Sequence, residues 1–250
     1  MTHPPPDPER PVPVPVMYQE WNWLTFLHWA YDPAVLRSLV PPPLELDTFD
    51  GAAWVGITPF LMENLRAPGL PAVPWLSRAP ETNVRTYVRA PDGQRGIWFF
   101  SLDHARLLAV TFARATYFLP YMWSSMSFRR RGPRVAYRAR RRWPGAPASY
   151  DIAVDVGDPL SDREVGERDH FLTARWVLYT FYGSVLARAR VEHPRWPLHR
   201  GRVVRLRQTL LSAAGLPEPT AEPLVHFSPG VSTRIGPPRL SAEADTPRPA

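Results

Sequence analysis

The sequence predicts a mainly β chain of the α+β class, an antiparallel sheet closed into a barrel with a few flanking helices. Three observations predict it. Residues 81–89 alternate without a break: Glu81, Asn83, Arg85, Tyr87 and Arg89 fall on one side, Thr82, Val84, Thr86 and Val88 on the other. A period of two is the signature of a strand. Asp92-Gly93 is a hairpin turn signal, and Gly96 to Asp103 (GIWFFSLD) reads as the returning strand. Short strands and turns of this kind recur along the chain, while helical spacing is rare.

The remaining elements follow in order. Gln19 to Tyr31 is aromatic-rich and reads as a strand. Pro33 to Val40 reads as a short helix with Asp32 as N-cap and Pro at the first helical position, stopped by Pro41-Pro42-Pro43. Leu44 to Thr48, Asp50-Gly51 and Ala52 to Phe60 form a second hairpin, followed by a Pro-rich loop from Arg66 to Ala79. His104 to Thr116 has helical spacing, with Leu107, Val110 and Ala113 or Arg114 recurring. Pro120 to Phe128, Arg134 to Arg142 and Tyr150 to Val156 read as strands, Gly157 to Arg168 as a polar loop, and His170 to Ala174 as a helical turn. Trp176 to Arg190 reads as two strands around Gly183, and Val203 to Ala214 as a helix ended by Gly215. Leu224 to Phe227 and Val231 to Ile235 are expected as closing strands around a Pro229-Gly230 turn. Residues 17–236 make one domain. The Pro-rich stretch 1–16 and the tail 237–250 are expected to be extended or disordered.

Composition narrows the chemistry. Apolar residues make up 44% of 250, ample for a core. There is no cysteine, hence no disulfide and no thiolate chemistry. No apolar run approaches the length of a membrane span, and the N-terminus lacks the pattern of a signal peptide, so the cytoplasm is the expected compartment. There is also no lysine: every one of the 30 basic residues in the Lys+Arg count is arginine. A guanidinium keeps its proton, so Schiff-base catalysis by a side chain is excluded, as is a P-loop. The formal charge of +7 is concentrated between Arg129 and Arg142, where eight arginines stand without an acid. That patch suits nucleic acid or an anionic surface. A solvated face of paired strands, with Arg138 and Arg140 pointing outward together, is the plainer and favoured reading, and no DNA- or RNA-binding motif accompanies the patch.

Six blocks, in order, resemble the YqjF-like bacterial proteins, a domain of unknown function. They are Leu46 to Phe60 (LDTFDGAAWVGITPF), Glu81 to Val88, Gly96 to Asp103, Ala113-Arg114 with Leu119-Pro120-Tyr121, Phe171 to Arg175, and His193 to Leu198. That family is grouped with the acetoacetate decarboxylase-like superfamily. The resemblance therefore implies a cone-shaped antiparallel β-barrel with a buried cavity. In the decarboxylases a Gly-x-Pro-Lys segment carries the Schiff-base lysine. The comparable segment here is Phe118-Leu119-Pro120-Tyr121, so the resemblance puts Tyr121 in the lysine's place, Arg114 in that of an upstream arginine and Glu81 in that of a glutamate. An imine-forming decarboxylase is ruled out by this departure.

The candidates are weighed against plainer roles. Glu81, Asn83, Arg85 and Tyr87 either line a pocket, with Arg85 holding a carboxylate and Glu81 acting as acid or base, or form a solvated ladder. Arg114 either enters the site or pairs with Glu81 or Asp103. Tyr121 is a site hydroxyl or a core side chain, and Arg175 pairs with Asp169 or reaches the cavity. His193 is a general base or a loop histidine bonded to backbone. The catalytic candidates are thus Glu81, Tyr121 and His193. The ligand-binding set is Glu81, Asn83, Arg85, Tyr87, Arg114, Tyr121 and Arg175. No metal-ligand spacing, serine-nucleophile elbow or dinucleotide fingerprint is present, so no cofactor and no metal is expected. The expected partner is a small-molecule carboxylate, with no membrane association, nucleic acid only as the runner-up, and self-association left open.

Overall fold

The computed structural model describes residues 11–240. The expectations for residues 1–10 and 241–250 lie outside the described residues. β1 (Met17–Tyr31) forms where the aromatics predict it. Asp32 caps α1 (Pro33–Arg37), its carboxylate accepting the amide of Ala34 at 2.8 Å. Leu44 to Thr48 is not a single strand. β2 (Glu45–Leu46) pairs with β5 (Ala79–Arg89), while β3 (Thr48–Phe49) pairs with β4 (Ala52–Arg66). The chain changes partner at Asp47, which is buried. The turn between β3 and β4 has φ of 51° at Asp50 and 75° at Gly51, the paired left-handed conformations that a tight hairpin needs.

β6 (Arg95–His104) returns along β5, from Arg95 opposite Arg89 to His104 opposite Glu81. Its other edge is shared. Ile97 and Trp98 pair with β10 (Val177–Tyr182), and Leu102 to His104 pair with β7 (Tyr121–Arg131). Both pairings are parallel, which corrects the expectation of a wholly antiparallel sheet. A parallel neighbour needs a long crossover, and α2 (Leu107–Thr116) supplies it between β6 and β7. The helix begins three residues later than the spacing suggested, because His104 is taken by the strand.

From β7 the pairing passes through β8 (Arg134–Trp143), β9 (Ser149–Pro159), β12 (His199–Gln208), β13 (Leu224–Ile235), β1, β4 and β5, and so returns to β6. From β10 it passes through β11 (Val185–Glu192) and reaches β13 by a second route. The two circuits share β13, β1, β4, β5 and β6. A core containing Leu27, Ile57, Val84, Tyr137 and Ile152 lies on one side of the shared strands. A second, with Tyr87, Phe99, Phe171 and Leu178, lies on the other. Short β14 (Arg239–Leu240) adds to β11, so the ordered body continues past residue 236. At the other end Val12 is buried, with its amide on Glu192.

Two further expectations are corrected. Val203 to Ala214 is not one helix: β12 runs to Gln208, and α4 is only Leu210–Ala213. The register of β12 against β9 shifts between Val203 and Arg205. Such a bulge breaks the period of two, and Val203, Leu206 and Leu210 are left at helix-like spacing. Pro229-Gly230 is not a turn either, because β13 passes straight through it. Gly230 has φ of 141°, and a Cβ there would stand 2.6 Å from the carbonyl oxygen of Trp21. Glycine marks a close approach of two backbones here, as it often does inside a strand. α3 (Glu167–Thr173) is the expected helical turn, begun earlier and opened by the Asp169 carboxylate, which accepts the Gly166 amide at 2.9 Å.

The junction of β6 with β10 gives a stability prediction. A Cβ on Gly96 would lie 2.7 Å from the Val177 carbonyl oxygen and 2.6 Å from the Tyr179 ring. Gly96→Ala should therefore lower the unfolding free energy by about 1–3 kcal/mol, read as an earlier urea midpoint. An unchanged midpoint would mean that β10 can withdraw from β6 at no cost.

Candidate functional site: a cavity behind one face of β5

The alternation of β5 sorts its side chains between the two cores, and residues Glu81 to Val88 are all buried. Of the even positions, Val84 packs in the first core and the hydroxyl of Thr82 is 2.5 Å from that of Tyr150 in the same core, while Val88 packs with Val40, Leu44 and Tyr179. The odd positions face a cavity of about 540 Å³, which Glu81, Asn83 and Arg85 line. The polar row thus lies inside the protein. Most of the cavity's other lining is apolar, from β1, β4, β6, α2, β10 and β11.

Glu81 stands opposite Phe60 on β4 and His104 on β6. The Tyr121 hydroxyl donates to its carboxylate, at 3.3 Å from each oxygen. Burial pushes the Glu81 carboxyl up to about 8. The hydrogen bond from Tyr121 opposes that rise, and the charge of Asp103 adds to it. Glu81 is therefore largely a neutral acid at neutral pH. Burial and the adjacent Glu81 hold the Tyr121 hydroxyl well above its ordinary range. His104 lies edge-on to Tyr121, with ring centroids 6.2 Å apart. Its Nδ1 accepts the amide of Arg106 at 2.9 Å, so Nε2 carries the hydrogen.

Five buried polar atoms on residues lining this cavity have no hydrogen-bond partner: Thr58 Oγ1, Asn83 Oδ1, Arg85 Nε, His104 Nε2 and Arg175 Nη2. Buried polar groups are rarely left unpaired, and so many on one wall is a property of the site. Arg85 is the most exacting of them. It is 7% exposed, it has no ion-pair partner among the described residues, and its hydrogen bonding within the protein is limited to a 3.5 Å contact with the Leu172 carbonyl and an interaction with the Tyr87 hydroxyl. Its guanidinium instead lies over the rings of Phe26 and Tyr87, 5.3 and 5.9 Å from their centroids.

The other predicted residues divide. Arg175 lines the cavity, but its partner is Asp47, at 2.7 Å, and not Asp169. Its Nε donates to the Phe171 carbonyl, and its plane lies over Phe171 and Tyr87. His193 also lines the cavity. Its Nδ1 donates to the Pro194 carbonyl at 2.7 Å, so this histidine is bonded to backbone and also stands on the cavity wall. Tyr87 faces the same side as Arg85 but does not line the cavity. Its hydroxyl donates to the Leu172 carbonyl at 2.6 Å and is 2.7 Å from His28 Nε2. Arg114 points away as well. It donates to the Tyr121 carbonyl at 2.9 Å and lies near the Trp143 ring. Neither acid weighed as a partner for Arg114 pairs with it: Asp103 is held by Arg141 at 2.7 Å and by Ser124 at 2.6 Å, and Glu81 takes the Tyr121 hydroxyl. Thr58, His104 and Asp47 were not singled out from sequence. A lone threonine in the apolar run of β4 was the available signal for Thr58.

The basic stretch is largely engaged. Arg134 pairs with Asp155, Arg138 with Asp151 and Arg141 with Asp103, while Arg130 and Arg142 lie over Trp23 and Trp123. The acids come from β6 and β9, which is why the local sequence looked unbalanced. Among the described residues no group of acids, histidines and cysteines is arranged to hold a metal, and no helix is long and apolar enough to cross a membrane.

Comparisons agree with this architecture. A model of the family DUF2071, described as an uncharacterized conserved protein, matches residues 18–232. The uncharacterized protein YqjF of Bacillus subtilis (strain 168) is 37% identical over 213 residues, 85% of this chain and 87% of its own. Among solved structures, the enduracididine biosynthesis enzyme MppR complexed with pyruvate superposes with a TM-score of 0.63 at 14% identity, covering 93% of each chain. The acetoacetate decarboxylase of Legionella pneumophila gives 0.62 at 14%, covering 91% of this chain and 88% of its own. An acetoacetate decarboxylase-like enzyme from Sphingomonas wittichii RW1 gives 0.61 at 13%, covering 90% and 92%. At these identities the likeness shows the fold, which is acetoacetate decarboxylase-like.

Glu81 makes the site's electrostatics measurable. Its folded-state value is raised, so from about pH 4.5 to about 8 the folded protein keeps a proton that the unfolded chain releases. Stability then falls as pH rises through that window. His104, pushed down to about 4, gives the opposite slope between about 4 and 6.5. Comparing Glu81→Gln with the parent at each pH cancels the histidine. The variant should gain relative stability from pH 5 to pH 8, on the order of a few kcal/mol, in denaturant titrations. A difference that stays flat with pH would mean that water reaches the carboxyl.

Proposed function

The chain belongs to the DUF2071 family, the YqjF-like proteins, and from that premise we propose that it binds a small anionic organic molecule, a carboxylate, in the cavity behind β5. The observation that carries this reading is Arg85, a buried cation on the cavity wall that no acid of the described chain neutralises. An uncompensated buried charge is costly, and a ligand carboxylate is the group that would both neutralise it and use its planar donors. Asn83, Thr58 and Arg175 would complete the polar end, with Glu81 and Tyr121 beyond them along the wall. In this reading the closed circuits of pairing are the wall of a cone-shaped barrel. The binding of pyruvate by MppR, a protein of the same fold, supports a carboxylate as the kind of ligand.

Chemistry through an imine on a lysine side chain is excluded, since the chain has no lysine and Tyr121 stands on the cavity wall. The groups left for acid–base work are Glu81, Tyr121 and His193. The absence of cysteine supports the cytoplasm as the compartment.

Arg85→Gln is the direct test. It removes the charge and leaves a shorter, neutral side chain that still carries an amide donor. Affinity for pyruvate and hexanoate, measured by calorimetry, should fall about 10- to 100-fold, the worth of a hydrogen bond to a charged group. Thermal stability without ligand should hold or rise, because a buried unpaired charge is gone. Unchanged affinity would refute Arg85 as the anchor.

A further inference from the structure

The cavity is not uniform along its length, and the gradient identifies the kind of carboxylate. Arg85, Asn83 and Thr58 form a buried polar end. From Arg85 to Glu81 the wall follows β5 for four residues, about 13 Å at the usual rise of an extended strand. The lining beside this stretch is apolar and buried, including Phe60, Met62, Phe99 and Leu102. At the far end, past Glu81, His104 and Tyr121, large apolar side chains of the lining come out to solvent: Leu70 is 62% exposed, Val73 55%, Leu108 64% and Phe112 55%. The first two stand on the loop after β4 and the others on α2. Arg106 ties these two sides together. Its side chain donates to the carbonyls of Trp75 and Arg78, and its guanidinium lies 4.3 Å from the centre of the Trp75 ring.

A small keto acid such as pyruvate would use only the polar end of such a cavity. Large apolar side chains gathered at a mouth and left in water mark a place where something apolar is bound. The same passage ends on an unpaired cation, so one molecule satisfies both ends only if it is amphiphilic.

We propose that the ligand is a straight-chain aliphatic carboxylate, its head on Arg85 and its alkyl tail running past Asn83 and Glu81 to the apolar mouth between Leu70, Val73, Leu108 and Phe112. This rests on the carboxylate reading above and adds the tail. Glu81 does not repel the tail, because its carboxyl is turned to Tyr121. α2 presents Leu108, Ala109, Phe112 and Ala113 to the passage, so the helix is the tail's outer wall.

The test is a calorimetric series from acetate to decanoate on the full chain, each acid kept below its micellar concentration. Affinity should rise about three- to fourfold per added methylene, as expected for burial of a CH₂ group, and level off once the tail clears the mouth. The double variant Leu108→Ser, Phe112→Ser changes two exposed side chains, so the fold should tolerate it. It should weaken only the longer acids, while Arg85→Gln should weaken all of them in parallel. Affinity independent of chain length would overturn the tail. If Arg85→Gln still weakened the short acids in that case, the carboxylate reading would survive without it. A flat series together with a dimer in sedimentation that Leu108→Ser, Phe112→Ser dissociates would also overturn the proposal, by giving the mouth to a second copy of the chain.

Discussion

The structure depends on β5 being buried on both faces and paired along both edges. β4 and β6 satisfy its backbone, so neither edge meets water. Val84 on one face completes a core, and Glu81, Asn83 and Arg85 on the other form the polar wall of the cavity. A polar row in that position cannot be a solvated ladder. Each of its groups must find a partner in the protein or remain unpaired toward the cavity. Tyr87 and Glu81 find partners, whereas Asn83 and Arg85 each leave a polar atom without one.

Arginine is buried here in two contrasting ways. Asp47, itself buried where the chain changes strand, gathers Arg175 at 2.7 Å, Arg89 at 3.2 Å and Arg95 at 3.5 Å. That cluster knits β2, β5, β6 and the segment after α3 together. Removing its acid would leave the buried Arg175 guanidinium without its partner and beside two partly exposed cations, and a buried charge left unpaired is strongly destabilising. Arg85, on the same strand as Arg89, has aromatic faces beneath it and no acid beside it. The contrast separates a guanidinium neutralised within the fold from one that no acid of the described residues neutralises.

The same fold in an acetoacetate decarboxylase and in this chain illustrates how a scaffold and its chemistry come apart. With no lysine, the cavity wall holds a carboxyl kept largely neutral by burial and a phenol hydrogen-bonded to it. These groups can position a ligand or move a proton, but they cannot form an imine.

Much of this was legible in the sequence for local reasons. The alternation of residues 81–89, the left-handed turn at Asp50-Gly51, the cap at Asp32 and the absence of lysine and cysteine each depend only on neighbouring residues or on composition. Glu81, Asn83, Arg85, Tyr121, Arg175 and His193 were picked out and lie on one cavity, but their partners were not legible. Asp47 is 128 residues from Arg175, and Asp103 is 38 from Arg141. A bulge in β12 disguised a strand as a helix, and a close approach of backbones disguised Gly230 as a turn. Sequence by itself therefore determined the residue types, the period of two and the chemistry that is excluded. Tertiary structure alone decided which face of β5 meets the cavity, which arginines are neutralised and that Arg85 is not, because pairing between distant strands and burial are set by the whole chain and leave no trace in local spacing.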